Sequence, residues 1–219
     1  MKILIFSDIH GRKDLFCKIY QEIREADLVI LPGDITHFGG IEDLIQILNE
    51  IKKYNQNVLA ISGNCDNFTT TDVIDNWNVC INNKKIQKYD LIFVGLGGSL
   101  PCPCKTLHEF KESDFKNILE NEPFKSCVSK EFIFVTHEPP YKTKVDKAWG
   151  KIHVGSREIR KYIEVKKPIL CICGHIHEAK GIDEISGAKV VNPGSFKHGN
   201  YGLIFIENKE IKDILLKSI

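Results

Sequence analysis

Leu28-Val29-Ile30-Leu31-Pro32-Gly33-Asp34 is the stretch from which the fold is read. Four successive branched apolar residues, with no polar alternation, suit a strand buried on both faces. The run then stops abruptly at Pro-Gly and a carboxylate. The same grammar recurs along the chain. Ile3–Phe6 runs into Asp8 and His10, and Val58–Ile61 passes through Ser62-Gly63 into Asn64. Phe132–Val135 runs into His137, and Ile169–Cys173 passes through Gly174 into His175 and His177. Each buried strand ends in side chains able to ligate a metal.

The spacers between the first three strands have helical periodicity. Residues 14–25 place Leu15, Ile19 and Ile23 four apart, and residues 41–54 place Leu44, Ile45, Leu48 and Ile51 on one face. Strand–helix–strand–helix–strand implies parallel strands with right-handed crossovers, whose carboxyl ends share one edge. Ligands of open α/β sheets gather at that edge. Gly33, Gly63 and Gly174 stand where the backbone must turn tightly beside such a site. Further short strands are expected at 79–81, 91–94, 182–185, 189–191 and 203–206, and helices at 113–120 and 156–164, each opened by a serine cap. With no repeat or linker, residues 1–219 read as a single domain of α/β class: two packed mixed β-sheets flanked by helices, a four-layer α-β-β-α sandwich.

The 219 residues carry 30 Lys+Arg against 29 Asp+Glu, a net charge of +1. That balance speaks against an extended nucleic-acid partner and against a polybasic membrane binder. No apolar run nears the roughly 18 residues that span a bilayer, and the four apolar residues after Lys2 fall short of a secretory leader, so the expected location is cytoplasmic. The eight cysteines include no C-x-x-C pair, and the close pairs Cys102/Cys104 and Cys171/Cys173 read as packed thiols.

Three oxygen donors (Asp8, Asp34, Asn64) and four imidazoles (His10, His137, His175, His177) exceed what one ion takes from a protein. Two ions sharing a carboxylate would use them all. A pair of metals about 3.5–4 Å apart suits in-line displacement at phosphorus. Mixed nitrogen and oxygen ligation favours two divalent ions of the Mn, Ni, Fe, Co or Zn type over Mg. Any one of these motifs also fits a polar loop residue with no metal. It is their ordered placement at strand ends that points to a metal site.

Asp8-Ile9-His10, Gly33-Asp34, Gly63-Asn64-Cys65-Asp66, His137 and Gly174-His175-Ile176-His177 resemble the calcineurin-like metallophosphoesterase family. The resemblance runs from Asp8 to His177, and Asn192-Pro193-Gly194-Ser195 resembles a late turn of its smaller members. It implies that Asp8, His10, Asp34 and His177 hold a first metal, that Asp34 bridges, and that Asn64, His137 and His175 complete a second. A metal-bridging hydroxide would be the nucleophile. One position departs from the pattern: Cys65 stands where the family commonly has a histidine that stabilises the transition state or protonates the leaving group. A thiol donates more weakly and carries no positive charge, although nearby cations can turn it into a thiolate. Small bacterial and archaeal phosphodiesterases with Cys at this position are the resembling subset.

The expected function is metal-dependent hydrolysis of a small phosphodiester or nucleotide, with Mn as the expected ion. A phosphomonoesterase, a nuclease and a non-catalytic scaffold of the same fold are the alternatives. Asp8, Asp34, Asn64, Cys65 and His137 are the expected catalytic residues, and His37, Cys65 and Asn64 the substrate contacts. Asp66 is expected to brace the turn or orient a histidine ligand, Ser195 to brace a turn, and residues 100–106 to overhang the site. His108 and His198 are expected on the surface. Lys142, Lys144, Lys147 and Lys151, with Tyr141 and Trp149, form either a solvated loop or an attractive surface for a phosphodiester, in which an aromatic ring can stack on a base.

Overall fold

The computed structural model describes residues 1–67 and 77–219. One sheet has the order β13-β12-β1-β2-β3, built from β1 (Lys2–Ile5), β2 (Leu28–Pro32), β3 (Val58–Ile61), β12 (Asn200–Glu207) and β13 (Glu210–Ser218). The second has the order β10-β11-β9-β6-β5-β4, from β4 (Lys85–Lys88), β5 (Leu91–Leu96), β6 (Phe132–Thr136), β9 (Leu170–Ile172), β10 (Gly181–Ile185) and β11 (Ala188–Asn192). A small hairpin pairs β7 (Lys147–Ala148) with β8 (Ile152–His153). The centres of both sheets are parallel: β1, β2 and β3 in one, and β5, β6, β9 and β11 in the other. The helices are α1 (Tyr20–Glu25), α2 (Ile41–Lys52), α3 (Glu112–Leu119) and α4 (Arg157–Lys166).

Strand alternation sorts the apolar residues into layers. Ile3, Ile5, Leu28, Ile30, Leu59 and Ile61 of the first sheet meet Phe93, Ile133, Val135, Leu170 and Ile172 of the second in a central core. Their neighbours Leu4, Phe6, Val29 and Leu31 point the other way, onto Ile23 of α1 and Leu44, Leu48 and Ile51 of α2. On the far side, Phe132, Phe134 and Val94 pack on Phe115 of α3 and Ile159 and Ile163 of α4. Uninterrupted apolar strands are therefore required, because both faces of each sheet are covered. This is the expected four-layer sandwich.

Several details differ from the sequence reading. The helix expected over 14–25 is a 3-10 turn (Lys13–Lys18) followed by α1, with the break at Ile19 (φ −131°). There Phe16 stacks on Phe196 at 4.7 Å and meets Phe6 at 5.3 Å, so tertiary packing overrides helical periodicity. Residues 79–81 contribute a single bridge, Ala60 to Cys80, in place of a strand. Helix α3 is opened not by Ser113 but at Lys111, whose N–H donates to Asp114 Oδ2 at 2.8 Å. Ser156 does cap α4, accepting from Ile159 N at 3.2 Å. Strands β4 and β13 were hidden by their charges. Both are edge strands, where charge on the open face is tolerated.

Candidate metal centre

The loops after β1, β2, β3, β6 and β9 meet at one edge of the sandwich. The first two are laced together, with Asp8 N donating to Gly33 O at 3.2 Å and His10 N to Asp34 O at 3.0 Å. Asp66 ties in the third by accepting from Ile35 N, Thr36 N, Thr36 Oγ1 and Gly63 N at 2.8–3.2 Å. It thus braces turns and touches no histidine through these bonds. Asp8, His10, Asp34 and His175 all hold left-handed backbone, at φ of 53°, 45°, 49° and 67°. Non-glycine residues rarely do so, and such strain gathers at functional sites. Crowding explains the glycines: a Cβ on Gly63 would run into Asp34, and one on Gly174 into Ser7 Oγ.

Two sets of donor atoms that share Asp8 lie within 4.8 Å of one another, Asp8/His10/His177 and Asp8/Asp34/His137. His10 Nε2 and His177 Nε2 are 3.0 Å apart, and His177 Nε2 is 3.3 Å from Asp8 Oδ1. Asp34 faces both sets, its Oδ2 3.6 Å from His10 Nε2 and its Oδ1 3.5 Å from His137 Nε2. His137 Nε2 also lies 2.9 Å from Asn64 Oδ1, while its Nδ1 is 2.8 Å from the Pro32 carbonyl. That carbonyl can only accept, so Nδ1 keeps a proton and Nε2 is the nitrogen whose lone pair a cation would take in place of a second proton. His175 belongs to neither set. Its N–H donates to Asp8 at 3.2 Å, and its Nε2 lies 3.8 Å from Glu138 Oε2 and 3.9 Å from Cys102 Sγ.

Asp8 and Asp34 are buried, and their ion-pair partners among the described residues are imidazoles alone. Burial pushes Asp8 upward, but the hydrogen bond from His177 and the charge of His137 outweigh it and hold the carboxyl below its usual range. Asp34 is likewise held low against burial, mainly by His137. Burial opposes charge on His137, yet Asp34 and Asp8 raise it to about 10. Burial drives His175 the other way, to about 4. The pocket therefore demands positive charge, and it claims a proton on His137 when nothing better is there.

The residues fit a pair of cations. Donor atoms on one ion with bonds of about 2.1 Å sit about 3.0 Å apart at a right angle and about 3.4 Å apart at the tetrahedral angle. The facing pairs here span 2.9–3.6 Å. Imidazole lone pairs directed at one another and at carboxylate oxygens repel unless a proton or a metal lies between them.

Around this cluster, His37 is exposed, with its Nδ1 3.3 Å from His10 Nδ1. Cys65 is buried, groups with His10 and His37, and its N–H donates to Asp34 Oδ1 at 2.8 Å. Burial, then the charges of Asp34 and Asp66, push its thiol far up, so with no cation bound these surroundings keep it protonated. Ser195 braces as expected, donating to Asp8 O at 3.0 Å. His198 is exposed, but the expectation for His108 is overturned. It is buried, lies 3.3 Å from Ser62 Oγ, and is lowered to about 4 by burial. The reason is the 99–110 loop, which folds down so that Leu107 N and His108 N both donate to Asn64 O. The same loop sets Cys102 Sγ 3.8 Å from Asn64 Nδ2. Sequence reading missed Glu138, which is buried, accepts from Leu100 N at 2.8 Å, and leaves Oε1 without a partner. Its position directly after His137 was the available signal.

A two-sheet sandwich with acids, an amide and imidazoles at the carboxyl edge defines the metallophosphoesterase class. The chain belongs to the calcineurin-like phosphoesterase family, whose family model matches residues 1–179. It is 38% identical over 197 residues to the uncharacterized protein MJ1162 of Methanocaldococcus jannaschii, covering 88% of each chain. Among solved structures it is similar to TT1561 of Thermus thermophilus, with a TM-score of 0.74 and 17% identity over 99% of this chain and 98% of that one. It is also similar to a dimetal phosphatase from Danio rerio, with a TM-score of 0.66 and 12% identity over 100% and 95%. No helix among the described residues is long and apolar enough to cross a membrane.

Proposed function

We propose that this hydrolase cleaves small phosphodiesters with two divalent cations, manganese first among them and nickel, iron, cobalt or zinc as alternatives. The observation that carries the reading is a pair of buried carboxylates, Asp8 and Asp34, facing imidazoles across lone-pair distances. Asp8, His10, Asp34 and His177 would hold one cation. Asp34, Asn64, His137 and His175 would hold the other. Bound there, the cations neutralise phosphoryl oxygens and acidify water.

The chain's own groups supply the rest. The Pro32 carbonyl keeps the His137 proton on Nδ1. Asp66 locks the turns that carry Asp34 and Asn64. Exposed His37 meets substrate at the rim, with Asn64 and Cys65 beneath it. A Cys65 thiol offers a phosphoryl oxygen only a weak hydrogen bond and, unlike an imidazolium, brings no positive charge to a leaving alkoxide. That suits diesters and good leaving groups better than alkyl monoesters. Eight free thiols suit a reducing, cytoplasmic setting. The chain's two ends, β1 and β12–β13, share one sheet, as expected if residues 1–219 are a single domain.

The test is metal content together with substrate preference. Wild-type protein should bind two Mn per chain and prefer an aryl diester to an alkyl monoester in kcat/KM. Asp34→Asn should bind at most one Mn and lose at least about a hundredfold in activity. Cys65→His should shift preference toward the monoester. Turnover that survives complete chelation would defeat the metal reading, and a wild-type preference for the monoester would defeat the diester reading.

A further inference from the structure

Trp149 is 72% exposed, more than any other large apolar side chain among the described residues. It sits in the turn Ala148–Lys151, closed by Lys151 N donating to Ala148 O at 3.1 Å. Both central residues are left-handed, Trp149 at φ 48° and Gly150 at φ 68°. Glycine or asparagine belongs at such positions, and a bulky ring there strains the backbone. The chain thus bears two costs at one residue, exposed apolar surface and an unfavourable dihedral, and such costs persist where function uses them.

The arm that carries Trp149 is held firmly. Buried Asp146 accepts from Lys142 N, Thr143 N and Gly155 N at 2.8–3.2 Å and pairs with His153 Nδ1 at 2.6 Å. The arm is also seated beside the metal centre. Ala148 and Val154 pack with Ile176 and Ala179, on either side of His177. Trp149 N donates to Glu178 Oε1 at 2.8 Å, and Glu178 is the residue after His177. One Cα step, a glutamate side chain and that hydrogen bond put the Trp149 backbone within about 11 Å of the His177 Cα. A nucleoside phosphate spans that gap. Lys142 and Lys151 on the same arm are exposed and add positive charge.

We propose that Trp149 is a stacking platform for the base of a nucleobase-bearing phosphodiester whose phosphate lies at the metal centre. The proposal rests on the diester reading of that centre. Stacking on an aromatic side chain tolerates any base, so the subsite selects for the presence of a base and not for its identity.

The experiment uses the full-length protein loaded with Mn and two substrates with one leaving group, the p-nitrophenyl ester of thymidine 5′-phosphate and p-nitrophenyl methyl phosphate. Trp149→Ala should lower the kcat/KM ratio of the nucleoside ester to the methyl ester about five- to hundredfold, mostly through KM, and Trp149→Phe should restore most of it. Thymidine 5′-phosphate should quench wild-type tryptophan fluorescence saturably, and Trp149→Phe should abolish that quenching. An unchanged ratio, or an equal fall for both esters, overturns the proposal. So does loss of binding to anionic phosphatidylserine vesicles with the ratio intact, which would make Trp149 a membrane contact. If wild-type protein cleaves neither ester yet is still quenched by thymidine 5′-phosphate, the base subsite stands and the diester reading falls.

Discussion

His137 shows how one buried residue couples function to stability. Its imidazole is raised to about 10 in the folded protein from an ordinary 6.5, because Asp34 and Asp8 outweigh its burial. In metal-free protein that proton contributes stability fully below pH 6.5, and the contribution is lost as pH climbs through about 10. His175 and His108 have the opposite sign. Both are driven by burial to about 4, so they cost stability as pH falls from 6.5 toward 4. Asp8 and Asp34, held below 3.8, withdraw their contribution in still stronger acid. Urea unfolding of metal-free protein should therefore give a stability maximum near pH 6.5. Saturating Mn should flatten the alkaline decline, because the cations replace the proton on His137. A metal-free profile still rising at about pH 9 would contradict this electrostatic picture. The strand-end ligands were legible in the sequence because buried strands stop abruptly at polar side chains. The burial of His108 was not, since nothing local to it signals that the 99–110 loop bonds back to Asn64.

The elements are joined by a few side chains that serve two at once. Ser156 caps α4 by accepting from Ile159 N, and its hydroxyl donates to Glu112 Oε2 of α3 at 2.7 Å. Glu112 also accepts from Arg157 N at 2.7 Å. Ser156→Ala should cost about 1–2 kcal/mol, seen as a lower urea midpoint at unchanged slope, while Mn stoichiometry stays at two. A loss below about 0.3 kcal/mol would mean that the Glu112 bridge alone secures the helix pair. The cap was readable from Ser156 preceding an apolar periodicity. Strand β13 was not, because an edge strand needs apolar residues on one face only, and its Glu210, Lys212 and Asp213 obscure Ile211, Ile214 and Leu216.

At the scale of the whole molecule, the chain closes on itself beneath the metal centre. β1 lies between β2 and β12, Phe196 N donates to Ser7 O at 2.8 Å, and Ser195 Oγ donates to Asp8 O. The first ligand loop is thus buttressed by residues from the far end of the chain. A chain ending at Gly199 would bare the edge of β1 and strip Ile204 and Ile206 from the central core. It should show no cooperative thermal transition and should retain no stoichiometric Mn. A cooperative transition in that fragment would show that β12 and β13 are dispensable. The amino-acid sequence by itself determined the layer order, the parallel strand centres and the identity of the strand-end donors, because burial on two faces and abrupt polar stops leave local marks. Only the tertiary structure decided which nitrogen of His137 faces the other ligands, that His175 turns Nε2 toward Glu138, that Cys65 is buried against Asp34, and that the turn bearing Trp149 is bonded to Glu178. Those depend on distances between residues far apart in the chain, and no local pattern encodes such distances.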